Sequence, residues 1–431
     1  MSEARAAAAL VPRGISGGAT KVTRYFAIAI GFTLPISTAA DNILLVLLLV
    51  CWLASGCWER KYVAVRVNAV ALAILGLFGM VVLGLAWSQG PLHDGVLYVK
   101  KYSNLLLMPI LLTVLTDAED RRRALLAFAA AMGLTLTLSL LFAMGILPYG
   151  GGLTGTLENP HGGLLTALPG NPTIFKHHIT QNILMAFACL LFAEFARTAK
   201  SNGVRWCWAT MAGLAAFDVL FLVQGRTGYL VLAALVALVL LERFRWKGLV
   251  AAVVVVTLGF ASAYEFSDSF RSRVSRVESE AEQWQPDVGT TTSVGIRLEF
   301  YRNTLGIIEQ HPVLGVGTGG FAQAYAERVQ GTAMTPTYNP HSQYLLTTAQ
   351  LGVVGLALLM LVFLQQWRCA PRLPEQTYKT LARGLVLTFV IANFFSSPLI
   401  DHAESLFFAW LSGLLFAALP PPSLAQVGKS A

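Results

Sequence analysis

The chain has 431 residues, of which 55% are hydrophobic and 13% charged, with a mean hydropathy of +0.61. Soluble chains carry about a quarter charged residues, so this composition excludes a soluble domain and indicates an integral membrane protein. The net charge of +8 comes from short basic clusters between apolar runs, a pattern of membrane topology that gives no reason to expect a nucleic-acid partner.

Residues 1–23 are polar and Gly/Ala-rich, and they read as a disordered cytoplasmic tail with no cleavable signal peptide. From there to residue 420 the apolar runs predict an all-α polytopic protein of about twelve transmembrane helices. The expected spans are 24–40, 42–58, 68–88, 102–116, 123–148, 178–197, 205–224, 227–242, 247–264, 344–367, 378–398 and 402–420. Residues 24–264 would thus hold nine spans and 344–420 three, with 421–431 a second cytoplasmic tail. The junctions near Asp41 and Arg226 are tight enough to be re-entrant.

Orientation follows from basic residues. The segments 59–66, 120–123, 197–205, 242–247 and 368–379 each carry three Lys or Arg. The opposite short loops hold only Lys100, Lys101, Lys176 and Arg226. The first set is expected in the cytoplasm, with both termini. The five cysteines, Cys51, Cys57, Cys189, Cys207 and Cys369, fall in apolar runs or these inner loops, and no disulfide is expected. Two outer segments are long: the Gly/Pro-rich loop 149–177 and a periplasmic helical insert, 265–343, between spans nine and ten. Within the insert, "SVGIRLEFYRNTLGIIEQ" predicts an amphipathic helix with Val294, Leu298, Tyr301, Leu305 and Ile308 on one stripe. The following "GVGTGG" lacks the strand–turn–helix setting of a dinucleotide fingerprint.

All seven histidines, His93, His161, His177, His178, His311, His341 and His402, map to the outer side. None has the spacing of a zinc site, and the outer acids look scattered or solvated, so no metal and no cofactor are expected. Outer cations run against the orientation bias and call for a local reason. Arg226 stands in the apolar run "FLVQGRTGYLVLAA", where a guanidinium costs about 3 kcal/mol on insertion scales. Lys100 and Lys101 sit at the mouth of a span, and Arg297 and Arg302 on the insert helix. Lipid snorkelling accounts for some such charges. Several arginines at one membrane surface also suit a membrane-embedded diphosphate, because a guanidinium pairs two phosphate oxygens at once. His341 follows Pro340 at the start of a span, where an imidazole can take a proton near neutral pH.

Three stretches together, "QGRTGYL" with Arg226, "GIRLEFYRNTLGIIEQHPVLGVGTGGF" with Arg297, and "NPHSQYLLTTAQLG" with His341, resemble the bacterial O-antigen ligase family within the ligase and polymerase superfamily. The resemblance implies an inner-membrane glycosyltransferase. Such an enzyme moves O-antigen polysaccharide from undecaprenyl pyrophosphate to a sugar hydroxyl of lipid A–core on the periplasmic face. It implies an inverting, metal-independent reaction in which Arg226 and Arg297 bind the pyrophosphate and His341 activates the acceptor. Lys100, Lys101, His177 and His178 are expected to bind substrate from their location alone, without a motif match. An O-antigen polymerase and a protein O-oligosaccharyltransferase are the neighbouring alternatives. A lipid-linked glycan transporter is the alternative of a different class, and it would commonly show inverted repeats, which this chain lacks.

Overall fold

The computed structural model describes residues 15–150, 153, 154, 165–266, 268–285, 290 and 292–420. The two tails, apart from residues 15–23, lie outside them, as does His161. Seventeen α-helices run through the described residues, with isolated bridges but no strand. In chain order they are α1 Ile15–Thr33, α2 Thr38–Ala54, α3 Trp58–Arg66, α4 Ala69–Leu83, α5 Leu92–Tyr102, α6 Leu107–Val114, α7 Ala118–Ala143, α8 His178–Thr198 and α9 Asn202–Phe217. There follow α10 Arg226–Phe244, α11 Trp246–Phe266, α12 Asp268–Glu282, α13 Ser293–Gln310, α14 Phe321–Arg328, α15 Gln343–Cys369, α16 Gln376–Phe395 and α17 His402–Phe416.

Among the described residues, seven helices are long and apolar enough to cross a bilayer. They are α4 with its 3-10 extension, α7, α8, α9 with its π-turn, α10, α11 and α15 with its 3-10 end. The pair α2 and α3, bent by 113°, makes an eighth if taken as one span. The chain is a multi-pass membrane protein. The remaining expected spans are helical but shorter, broken or more polar. The run 24–40 ends its helix at Thr33, 102–116 divides into a 3-10 turn and the eight-residue α6, and 402–420 yields the 15-residue α17. At about 1.5 Å per residue, α17 reaches well short of a hydrocarbon core about 30 Å thick.

Burial explains how so short a helix is accommodated. Every residue of α17 from Ala403 to Phe416 is buried. A helix apolar all round belongs inside a bundle. Phe407 and Phe408 pack on Phe128, Phe187, Phe363 and Phe389, while Trp410 Nε1 donates to the Ala27 carbonyl at 2.9 Å. By contrast α11 is almost wholly exposed, with 6% of its apolar window buried, and offers Leu249, Val253 and Leu258 to lipid.

The glycine run after α13 is a structural knot. Thr318 N donates to Gly84 O at 3.0 Å, Val316 N to Ala349 O at 2.9 Å, and Gly319 N to Gln350 Oε1 at 2.6 Å. These bonds tie the end of α4 to α15. Gly317 has φ +83°, and a Cβ there would stand 2.2 Å from Ser88 Cα. A Gly317→Ala variant is therefore expected to lose about 2–5 kcal/mol, from the left-handed penalty plus overpacking. A lower unfolding midpoint in detergent would check this, and an unchanged midpoint would contradict the close packing.

The buried face of α13 differs from the expected stripe. Gly295, Glu299, Phe300, Asn303, Thr304 and Ile307 are buried, whereas Leu305 is 49% exposed and Val294, Leu298, Tyr301 and Ile308 are half-buried. Asn303 Nδ2 donates to the Glu299 carbonyl at 3.1 Å and contacts Met334 Sδ at 3.0 Å. Small and polar residues face α14 and α15 because they let the backbones approach, which leaves aliphatic residues turned partly outward.

Candidate active site

Arg226 is the first residue of α10, and the turn before it is fixed by a neighbouring helix. Asn182, fully buried on α8, donates through Nδ2 to the Val223 carbonyl at 3.3 Å and to the Gly225 carbonyl at 2.9 Å. Gly225 and Gly228 pack so closely on Asn182 that a Cβ at either would stand 2.4 or 2.5 Å from it. The loop 149–177 reaches the same turn: Gln224 N donates to Asn171 Oδ1 at 3.1 Å and Gln224 Nε2 to the Gly170 carbonyl at 3.0 Å. Arg226 is thus half-buried at a helix start rather than in mid-hydrocarbon. Gly225 provides no side-chain cap, so the cation adds to the positive end of the helix dipole. Such an end favours an anion.

Arg226 and Arg297 line one cavity of ≈ 180 Å³, together with His178, Gln224, Thr227, Ser293 and a third arginine, Arg276. The arginines come from α10, α13 and α12. Among the described residues, no Asp or Glu lines the cavity. Three guanidiniums lining one small space suit an anion with several oxygens, which each fork can hold through paired charge-assisted bonds. Arg276 stayed unremarked in the sequence because "SFRSRVSRVESEAEQW" reads as a solvated amphipathic helix; only the docking of α12 beside α13 brings it to Arg297. Arg276→Gln is expected to slow turnover on the order of tenfold, the worth of one charge-assisted bond. Steady-state rates against donor concentration would show it, and unaltered rates would exclude Arg276 from the site.

His341 does not line this cavity. It is joined to it by α13. Tyr301, four residues on from Arg297, places its hydroxyl 2.8 Å from the Phe394 carbonyl and 3.4 Å from the His341 carbonyl. Phe300 stacks on the imidazole at 6.0 Å between centroids and 15° between planes. Burial, and then the Arg297 charge, lower the His341 pKa from its ordinary value, which favours the neutral ring. A neutral imidazole can accept a proton. The residue has φ 55°, a left-handed backbone uncommon outside glycine. Asn339 Oδ1 holds it there by accepting from His341 N at 2.9 Å and from Ser397 Oγ at 2.8 Å.

The other expected binding residues are spread around this end of the bundle. Lys101 Nζ lies 5.4 Å from the ring centroids of Tyr98 and Tyr338, on the His341 side, and Tyr98 Oη donates to the Tyr338 carbonyl at 2.6 Å. Lys100 is exposed, and its carbonyl accepts from Ser103 Oγ at 2.7 Å. His177 precedes α8 and sits 3.9 Å, ring to ring, from His178, so the pair touches the arginine cavity through His178 alone.

One expectation about acids is overturned. Asp41, Glu299 and Glu404 are buried, at 0%, 4% and 4% exposure, rather than scattered on solvated faces. Asp41 Oδ1 accepts from Thr33 Oγ1 at 2.6 Å, its Oδ2 lies 3.7 Å from His402 Nε2, and Glu404 Oε1 accepts from Thr180 Oγ1 at 2.5 Å. The helix starts of α2, α8 and α17 meet here, and no local pattern signals contacts between residues more than two hundred positions apart. Among the described residues no group of three or more His, Cys, Asp or Glu is placed to hold a metal ion.

Two similarities to known proteins are found. An uncharacterized protein of Haemophilus influenzae (strain ATCC 51907 / DSM 11121 / KW20 / Rd) is 23% identical over 280 residues, which is 63% of this chain and 65% of that protein. This chain therefore spans just under two thirds of its relative. Residues 211–360 match the family described as O-antigen ligase, and Arg226, Arg276, Arg297 and His341 all fall within that stretch. Over residues 211–360, about a third of its length, the chain is similar to the O-antigen ligase family.

Proposed function

We propose that the protein transfers O-antigen polysaccharide from undecaprenyl pyrophosphate to a sugar hydroxyl of lipid A–core, at the periplasmic face of the inner membrane. The observation that carries this reading is the meeting of three arginines from three helices in one cavity, with His341 next to Arg297. The diphosphate would lie among Arg226, Arg276 and Arg297. The acceptor would approach from the His341 side, where Lys101 and Tyr338 stand.

In this mechanism the acceptor oxygen attacks the anomeric carbon on the face opposite the leaving group. The new C1–O bond forms as the bond to the diphosphate breaks, and the anomeric centre inverts. The electron pair of the broken bond goes to the diphosphate. Preplaced guanidiniums hold that developing charge more strongly than they hold the ground state, which lowers the barrier. The acceptor proton passes to a ring nitrogen of His341. Guanidinium charge thus takes the part that a divalent cation plays in many diphosphate sites.

The testing experiment combines purified protein, undecaprenyl-pyrophosphate-linked glycan and rough lipopolysaccharide, with a chelator present and no nucleotide. Glycan-capped lipopolysaccharide is the expected product. Extension of the lipid-linked glycan instead would make the protein a polymerase, and chelator-abolished transfer would overturn the arginine mechanism.

A further inference from the structure

A second cavity, of ≈ 510 Å³, opens at the other end of α2. The start of α2 is beside the arginine site, since Lys176 Nζ donates to Thr38 Oγ1 at 2.9 Å and His178 lines the arginine cavity. The 17 residues of α2 carry the chain to Ala54, about 25 Å away at 1.5 Å per residue. The new cavity thus sits across the bundle from Arg226.

Its lining is amphiphilic. Trp52 and Val114 provide apolar wall, and Lys21, Arg24, Arg60 and Lys61 provide four cations, with no acid among the described lining residues. Lys61 is fixed: its Nζ donates to the Trp52 carbonyl at 2.6 Å and to Ser55 Oγ at 2.9 Å, and lies 4.3 Å from the ring centroids of both Trp52 and Trp58. Arg24 Nη1 donates to Asp120 at 3.4 Å, outside the lining, while its Nε is buried with no hydrogen-bond partner. The bend of 113° between α2 and α3 creates the space. Along α3, exposed Trp58, Tyr62 and Val63 alternate with Arg60 and Lys61. Aromatic and basic residues mixed on one short helix mark the depth at which lipid phosphates lie.

We propose that this cavity holds the anionic headgroup of a membrane phospholipid, its phosphate against Lys21, Arg24 and Arg60 and its glycerol and first acyl carbons over Trp52 and Val114. Four cations with no lining acid select for negative charge, and the apolar wall selects an amphiphile over a free ion. The site is separate from the transfer chemistry and does not depend on it.

Delipidated full-length protein, reconstituted with phosphatidylglycerol or with phosphatidylcholine and examined by native mass spectrometry, tests the assignment. Phosphatidylglycerol is expected to be retained preferentially. Each basic side chain removed should weaken that retention about fivefold, so Lys21→Gln with Arg60→Gln should nearly erase the preference, while Lys176→Gln, at the far end of α2, should not. Because loss of basic residues can disturb insertion, a wild-type measurement stands beside it. Brominated phosphatidylglycerol should quench tryptophan fluorescence more than brominated phosphatidylcholine, and Trp52→Phe should remove that difference. Equal retention and equal quenching by the two lipids would overturn the proposal. So would occupancy by inorganic phosphate without any lipid preference, which would assign the cavity to a free anion.

Discussion

His341→Asn is expected to reduce glycan transfer by about 10²–10⁴-fold, the usual worth of a positioned general base. Asparagine is the informative replacement because it tolerates the left-handed backbone that His341 adopts at φ 55°. The fold should therefore persist, and an unfolding midpoint near wild type would show that chemistry alone was lost. The pH dependence carries a separate prediction. Burial and Arg297 depress the pKa of His341 below its ordinary value. The neutral, proton-accepting form therefore persists to lower pH than for a free imidazole, so the rate should stay flat through neutrality and fall only below about pH 6.5. An acid limb centred above the ordinary histidine value would contradict the neighbourhood described for His341. Full activity in His341→Asn would remove it as the base.

Arg226→Lys and Arg297→Lys are each expected to lower the rate by about a hundredfold, the loss typical when one donor to a developing anion is removed. Lysine keeps the charge but not the planar fork, so these variants separate bidentate phosphate pairing from charge alone. Normal turnover in Arg226→Lys would make Arg226 an anchor. Arg297 has a second consequence that Arg226 lacks. Its positive charge disfavours the imidazolium of His341. Neutralising it in Arg297→Gln should raise the His341 pKa, and the residual activity should then fail at higher pH than in the wild type. A histidine ring titration followed by NMR would report the same upward move. If neither the titration nor the acid limb shifts, the two residues are not electrostatically coupled.

Much of this protein follows from its sequence by itself. Sparse charge and long apolar runs require a bilayer, because about 20 apolar residues in succession have no other stable setting. The cost of a guanidinium in such a run singled out Arg226, and the "NPHS" helix start singled out His341. The tertiary structure decided the rest. Hydropathy does not distinguish a helix facing lipid from one facing protein, since both are apolar; α11 and α17 read alike, yet one is nearly bare and the other fully enclosed. A span shorter than the bilayer is tolerated only when neighbours enclose it, so the run 402–420 could not be measured from its own residues. Arg276 reached the cavity through the docking of α12 beside α13, and Asp41 its place beside His402 through contact between helices distant in sequence. The glycines of "GVGTGG" are explained by where Ser88 and Gln350 lie, and no local pattern carries the position of Ser88, more than two hundred residues before Gly317.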